Sequence, residues 1–233
     1  MHPLPKDTFH WTHYRLSLTK QNALKQLASD AAVFVPGVKF ISTNDALCAF
    51  LWQHVAKVMA AQGTDPATVC KFSRAIDARA QLAVPPDYMG VMVANATTWL
   101  PLRDLATKPL AWIASQLRQT LTAASAEHTV RSFATHVANT KDKSGIVYGG
   151  AFNAATDLGC SSVAHIAMHD VDFGILGRPE LVRRPTFGTL FRTAYFMPMT
   201  PDRSVDVLAC FAEKDIEALK RDGEWTEYTE YIG

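Results

Sequence analysis

His165-Ile-Ala-Met-His-Asp-Val-Asp172-Phe-Gly-Ile-Leu-Gly177-Arg-Pro-Glu-Leu-Val-Arg-Arg-Pro185 is the stretch whose reading decides the fold. Its opening residues read as a strand. The strand breaks at Asp172, which is followed by Phe173, Gly174 and, three residues on, Gly177. Glycine takes positive φ without the steric penalty other residues meet, so the pair marks a tight turn. Pro179 fixes the exit through its locked φ. An acid at the head of such a turn can hold loop N–H groups or pair with an arginine elsewhere in the fold. Asp-Phe-Gly also occurs in protein kinases. Here no Gly-rich loop and no His-Arg-Asp precede it, which excludes a kinase.

Upstream, Phe9–Leu18 alternates in character and is rich in aromatics, the pattern of a strand. Residues 1–8 are Pro-rich and read as a linker. Thr19 can N-cap a short helix carrying Leu24, Leu27 and Ala28. Ser42-Thr43-Asn44-Asp45 opens the clearest helix, whose apolar stripe runs through Leu47, Phe50, Leu51, Val55, Val58 and Met59. His54 falls on that stripe, where a packed histidine is expected. Val69–Ala78 and Gly90–Leu100 read as strands, Pro109–Ala124 and 126–139 as helices, and Gly145–Phe152 as a Gly-rich β-like run. Downstream, strands near Leu190–Met199 and Val205–Ala212 are joined by Pro201-Asp202-Arg203, which predicts an antiparallel hairpin. A last helix is expected near Asp215–Arg221. Strands alternating with substantial helices predict an α/β fold with a mixed sheet and helices on one face.

The 233 residues are 48% hydrophobic with a net charge of +1. That is ample for a core, and the scattered basic residues argue against nucleic acid or an anionic membrane as partner. Four cysteines lie far apart with no Cys-x-x-Cys, as in a reduced, cytoplasmic chain. No signal peptide and no membrane-spanning run is legible.

The central stretch resembles the Asp-Phe-Gly-Trp-Gly-Lys-Pro signature of the BAHD acyltransferases. Within that family it is similar to the branch of the trichothecene 3-O-acetyltransferases, which continues Gly-Lys-Pro-Glu-x-Val-Arg-Arg-Pro. Three other segments resemble family motifs in the same order: Ser42-Thr43-Asn44-Asp45-Ala46-Leu47, then Ser73–Arg79 with Pro85-Pro86 and Tyr88-x-Gly90, then Tyr228–Gly233. The resemblance implies a chloramphenicol-acetyltransferase-like half, with residues 9–233 as a C-terminal acyltransferase domain. It implies transfer of an acyl group from acetyl-CoA, or another acyl-CoA, to a small-molecule alcohol or amine, with no metal. The family's base is the histidine of His-x-x-x-Asp, a residue suited to take a hydroxyl proton near neutral pH. None of the eight histidines here is followed by aspartate four residues on. The expectation is therefore a chain that lacks its N-terminal catalytic half, supplied in cis or in trans, or else a non-catalytic remnant of the same fold. Ile175-Leu176 stand where the signature has Trp, and Arg178 replaces Lys.

The resemblance also implies that Asp172 bridges to Arg79, a structural pair, and that Ser73 and Arg74 contact CoA, the arginine through phosphate. Arg183 and Arg184 could serve a phosphate too, but a doubled arginine is more often a solvated or helix-pairing face. His165 and His169 have i, i+4 spacing, which on a helix would suit a metal. On a strand they would stand about 13 Å apart. Ser161-Ser162 has no nucleophile elbow around it and is given no nucleophilic role.

Overall fold

The computed structural model describes residues 5–85, 87–147, 149–185 and 188–233. Pro86, Tyr148 within the Gly-rich run and the first four residues of the expected linker lie outside the described residues. The strands are β1 Phe9–Leu16, β2 Val69–Asp77, β3 Val93–Pro101, β4 Leu158–Ser162, β5 Thr193–Phe196, β6 Val205–Ala212 and β7 Glu230–Tyr231. They form one mixed sheet in the order β3-β2-β4-β5-β6-β1-β7. β2, β4 and β5 run parallel, and the remaining pairs are antiparallel. The expected hairpin forms, with Thr193 opposite Cys210 and Phe196 opposite Val207.

The helices are α1 Leu18–Leu27, α2 Thr43–Ala61, α3 Leu102–Thr107, α4 Leu110–Ala124, α5 Glu127–Asn139, α6 Glu213–Arg221 and α7 Gly223–Tyr228. α2 is the hub and packs against α1, α3, α4 and α6. Its start is a capping box: Ser42 Oγ accepts from Asp45 N at 3.2 Å, and Asp45 Oδ2 accepts from Ser42 N at 2.7 Å. Tyr14 and Leu16 of β1, Phe72 of β2, Leu158 of β4, Phe196 of β5 and Phe211 of β6 face the helices and join α2 in one core. Trp225 of α7 stacks on Phe50 with ring centroids 5.3 Å apart. Irregular chain covers much of the opposite sheet face. Trp11 Nε1 donates to Gly188 O at 3.4 Å, and Lys71 Nζ donates to the carbonyls of Gly149, Gly150 and Ala151.

Several expectations need correction. α1 is capped by Ser17, whose Oγ accepts from Lys20 N, so Thr19 lies inside the helix. The strand expected from His165 ends earlier, at Ser162. Its neighbour β5 stops at Phe196, opposite Ser162, and Pro198 offers no N–H to prolong the ladder. The described residues of the run 145–152 form no strand, and Gly145 closes a 3-10 turn. Gly149 and Gly150 both take φ of +74°, which turns their carbonyls onto the Lys71 ammonium. α3 and α7 had no clear periodicity, each being only six residues long.

Candidate functional site

Because β2 and β4 are parallel, both finish at the same end of the sheet. Two segments leave that end, one between β2 and β3 and one between β4 and β5, whose described residues form neither strand nor α-helix. At their base lies a cleft of about 360 Å³, lined among others by Thr43, Asn44, Arg74, Ser162, His165 and Met199. Thr43 and Asn44 reach it because they open α2. In the sequence these two residues registered only as helix-start polarity, which hid their place on the wall.

Ser73 and Arg74 are neighbours on a strand, so their side chains leave opposite faces of the sheet. Arg74 turns towards the helices and is buried, its Nη1 2.7 Å from Asp45 Oδ1 and its Nη2 2.8 Å from Leu117 O. Arg118 of α4 pairs with the other Asp45 oxygen, Nε to Oδ2 at 2.8 Å. Burial pushes the Asp45 carboxyl up, but Arg74, the Ser42 N–H and Arg118 outweigh it and hold the group below its ordinary range. Ser73 turns the other way, close against Gly149, where an added Cβ would stand 2.6 Å from Ser73 Oγ. The two side chains that the resemblance implies for CoA therefore do not share a face, and the guanidinium is engaged inside the protein. Arg118 was not foreseen, since nothing local to residue 118 signals a partner 73 residues away.

The Asp172 turn has the expected shape and different partners. Gly174 and Gly177 adopt φ of +66° and +71°. Gly174 N donates to Asp172 Oδ1 at 2.7 Å, and Phe173 N donates to Gly177 O at 2.9 Å. The expected bridge from Asp172 to Arg79 is not formed. Arg79 Nη1 lies 3.0 Å from Asp77 Oδ1, and its other donors hold Tyr88 O and Gly90 O at 3.2 and 2.9 Å. Asp172 is exposed, so water and one backbone N–H serve its carboxylate in place of an arginine.

His165 and His169 sit on irregular chain, with His169 in a 3-10 turn, its Nδ1 3.1 Å from Pro179 O. No group of three or more metal-ligating side chains is assembled among the described residues. Arg183 pairs with Asp206 at 3.2 Å, and the Arg184 guanidinium lies 3.9 Å over the Tyr195 ring, so both hold their part of the chain to the sheet. All four cysteines are free and buried. No helix among the described residues is long and apolar enough to cross a membrane.

Both segments leave large apolar side chains in solvent. Met89 and Val91 on one segment are 95% and 86% exposed, and on the other Phe173, Ile175 and Leu176 stand largely or wholly in solvent.

A mixed sheet with helices on one face and a cleft at the strand ends is the architecture of known acyltransferases. The Transferase family profile matches residues 5–226, and the chain belongs to that family, the BAHD acyltransferases whose motifs it carries. It is 51% identical to the O-acyltransferase pigD of Monascus ruber, over 97% of this chain and 50% of that protein. It is 34% identical to the trichothecene 3-O-acetyltransferase TRI101 of Fusarium sporotrichioides, over 97% of this chain and 48% of that protein. Among solved structures, TRI101 of F. graminearum complexed with coenzyme A and T-2 mycotoxin superposes with a TM-score of 0.91 at 32% identity, covering 99% of this chain and 52% of that one. Vinorine synthase shares the fold, with a TM-score of 0.70 at 18% identity over 98% of this chain and 49% of its own. The chain thus spans about half the length of the curated relatives it matches.

Proposed function

We propose that this chain is the C-terminal half of an acyl-CoA-dependent O-acyltransferase that moves an acetyl group onto a hydroxyl of a small secondary metabolite, such as a trichothecene-like terpenoid. One observation carries the reading: nearly the whole chain aligns with half of enzymes named O-acyl- or O-acetyltransferases. The cleft is then one wall of a site whose second wall and base come from the complementary half. In that half a neutral histidine would take the acceptor's proton as the hydroxyl attacks the thioester carbonyl. The residues of this chain orient and enclose. Asn44, Thr43 and Ser162 offer hydrogen bonds, while Met199 and Leu47 exclude water. Arg74 is proposed as part of the cofactor wall, its charge already matched by Asp45. Ser73, on the far face, is not.

A second reading, a non-catalytic member of the fold, is favoured by the lack of any His-x-x-x-Asp in the 233 residues. The test is thiol release from acetyl-CoA with a trichothecene-like alcohol, using the chain alone and the chain combined with a segment carrying the family's His-x-x-x-Asp half. Turnover only in the combination supports the proposal. Turnover by the chain alone overturns the divided site, and none in either leaves the second reading standing.

A further inference from the structure

Beside the sheet-end cleft, and sharing Ala164, His165 and Met199 with it, lies a second concavity of about 400 Å³. It runs between the arm after β4 and the β5–β6 turn. Its polar lining is mostly cationic or titratable: Arg178, Arg203, His165 and His169, against the single acid Asp170. The two guanidinium groups have donors to spare. Among the described residues Arg178 pairs with Asp170 alone, at 3.8 Å, beyond hydrogen-bond reach and on a carboxylate that is itself 74% exposed. The Arg203 side chain has no partner among the described residues, although its backbone is firmly held. Its N–H donates to Thr200 O at 2.8 Å and its carbonyl accepts from Gln21 Nε2 at 2.9 Å, which fixes a φ of +64° that arginine rarely adopts. The neighbouring Asp202 is not its ion-pair partner: that carboxylate accepts from Ser204 N and Oγ at 3.2 and 2.9 Å and from Thr200 Oγ1. His169 is buried and directs Nδ1 to Pro179 O, which holds the arm, and with it Arg178, over the concavity.

We propose that this second concavity is an anion subsite, which takes a phosphate or carboxylate group of a ligand whose remainder lies in the sheet-end cleft. Two arginines with unengaged planar donors on opposite walls suit either oxyanion. His165, on the wall common to both concavities, makes the two spaces continuous. The proposal rests on the acyltransferase reading only for which ligand brings the anion, the acyl donor through phosphate or the acceptor through carboxylate.

The test uses the 233-residue chain with inorganic pyrophosphate at constant ionic strength, followed by chemical-shift perturbation. Wild type and an Arg131→Gln control, which alters an exposed α5 arginine, should bind saturably. The Arg178→Gln/Arg203→Gln variant should bind roughly tenfold more weakly or worse, since charge-assisted hydrogen bonds are the strong ones. Both altered side chains are exposed, so the variant should keep the wild-type melting temperature without ligand. Displacement of pyrophosphate by coenzyme A assigns the site to the donor, and displacement by succinate but not coenzyme A assigns it to an acceptor carboxylate. Absence of saturable binding, or equal affinity in the double variant, overturns the subsite. Acetyl transfer takes no part in this measurement, so failure of the transferase reading would leave a positive result intact.

Discussion

Arg74 of β2 and Asp45 of α2 lie 2.7 Å apart in the core, with 5% and 0% of their side chains exposed. This ion pair ties the hub helix to the central sheet directly beneath the cleft. A buried pair is costly to assemble, and breaking it from one side strands the other charge. Asp45→Asn should therefore destabilise the chain by about 3–5 kcal/mol. Arg74→Met should do the same, and the double substitution should cost less than the sum. Denaturant melts of the four proteins in the cycle check this, and additive losses would contradict a shared network.

The Asp172 turn calls for a much smaller effect. Its carboxylate is exposed and accepts one backbone N–H, so Asp172→Ala should cost only about 0.5–1.5 kcal/mol. Gly174→Ala, at φ of +66°, should cost about 1–2 kcal/mol through backbone strain alone. A double-mutant cycle of Asp172→Ala with Arg79→Ala should give no coupling. A coupling as large as that of the Asp45 pair would mean that the bridge implied by the family motif forms in solution.

His54 gives the chain an acid-sensitive joint between α2 and α7. Burial pushes its imidazole below the ordinary histidine value, opposed by the Asp222 carboxylate 2.9 Å from Nδ1. Lys57 pushes in the same direction as burial, and Glu224 pulls with Asp222. The unfolded chain therefore takes up a proton before the folded one does. The stabilisation is complete above about pH 6.5 and is lost as pH falls from there towards the folded value. Burial pushes the Asp222 carboxyl up, but His54 and the N–H groups of Trp225 and Glu224 hold it below the ordinary carboxylate range. Its own share is lost at still lower pH. Urea melts at about pH 7.5 and about pH 5 should show falling stability, and His54→Gln should flatten the difference between them. An unchanged slope in the variant would place the acid sensitivity elsewhere.

How much of this was legible in the residues differs from element to element. The start and core-facing stripe of α2 could be read directly, because Ser42 and Asp45 write a cap into four positions and the apolar stripe recurs at helical spacing from Leu47 to Met59. The β5–β6 hairpin was legible for the same local reason. β4 was not: Leu158-Gly-Cys-Ser-Ser162 has no alternation, and a short parallel strand is made by its two neighbours. The site divides along the same line. Gly174 and Gly177 announce their backbone conformations, whereas the partners of Arg74 and Arg79 are choices among several acids that only the folded chain resolves. Asp77, two residues from Arg79, won over the distant Asp172 because it needs almost no loop closure to reach the guanidinium.

The last expectation concerns the exposed apolar side chains of the arm after β4. Ile175 is fully exposed and Leu176 is 83% exposed, at the tip of the arm after β4. Side chains so placed gain nothing for the isolated chain and lose favourable burial, about 1.5–3 kcal/mol for each residue of this kind that a partner could cover. The isolated chain should therefore self-associate as concentration rises. Ile175→Ser/Leu176→Ser should shift it towards the monomer in sedimentation velocity without lowering its melting temperature, since neither side chain contributes to the core. The same double substitution should weaken assembly with the complementary half. Monomeric behaviour of the unsubstituted chain at every concentration, together with undiminished assembly of the variant, would remove the arm tip from the interface and shift attention to the exposed Met89 and Val91 between β2 and β3.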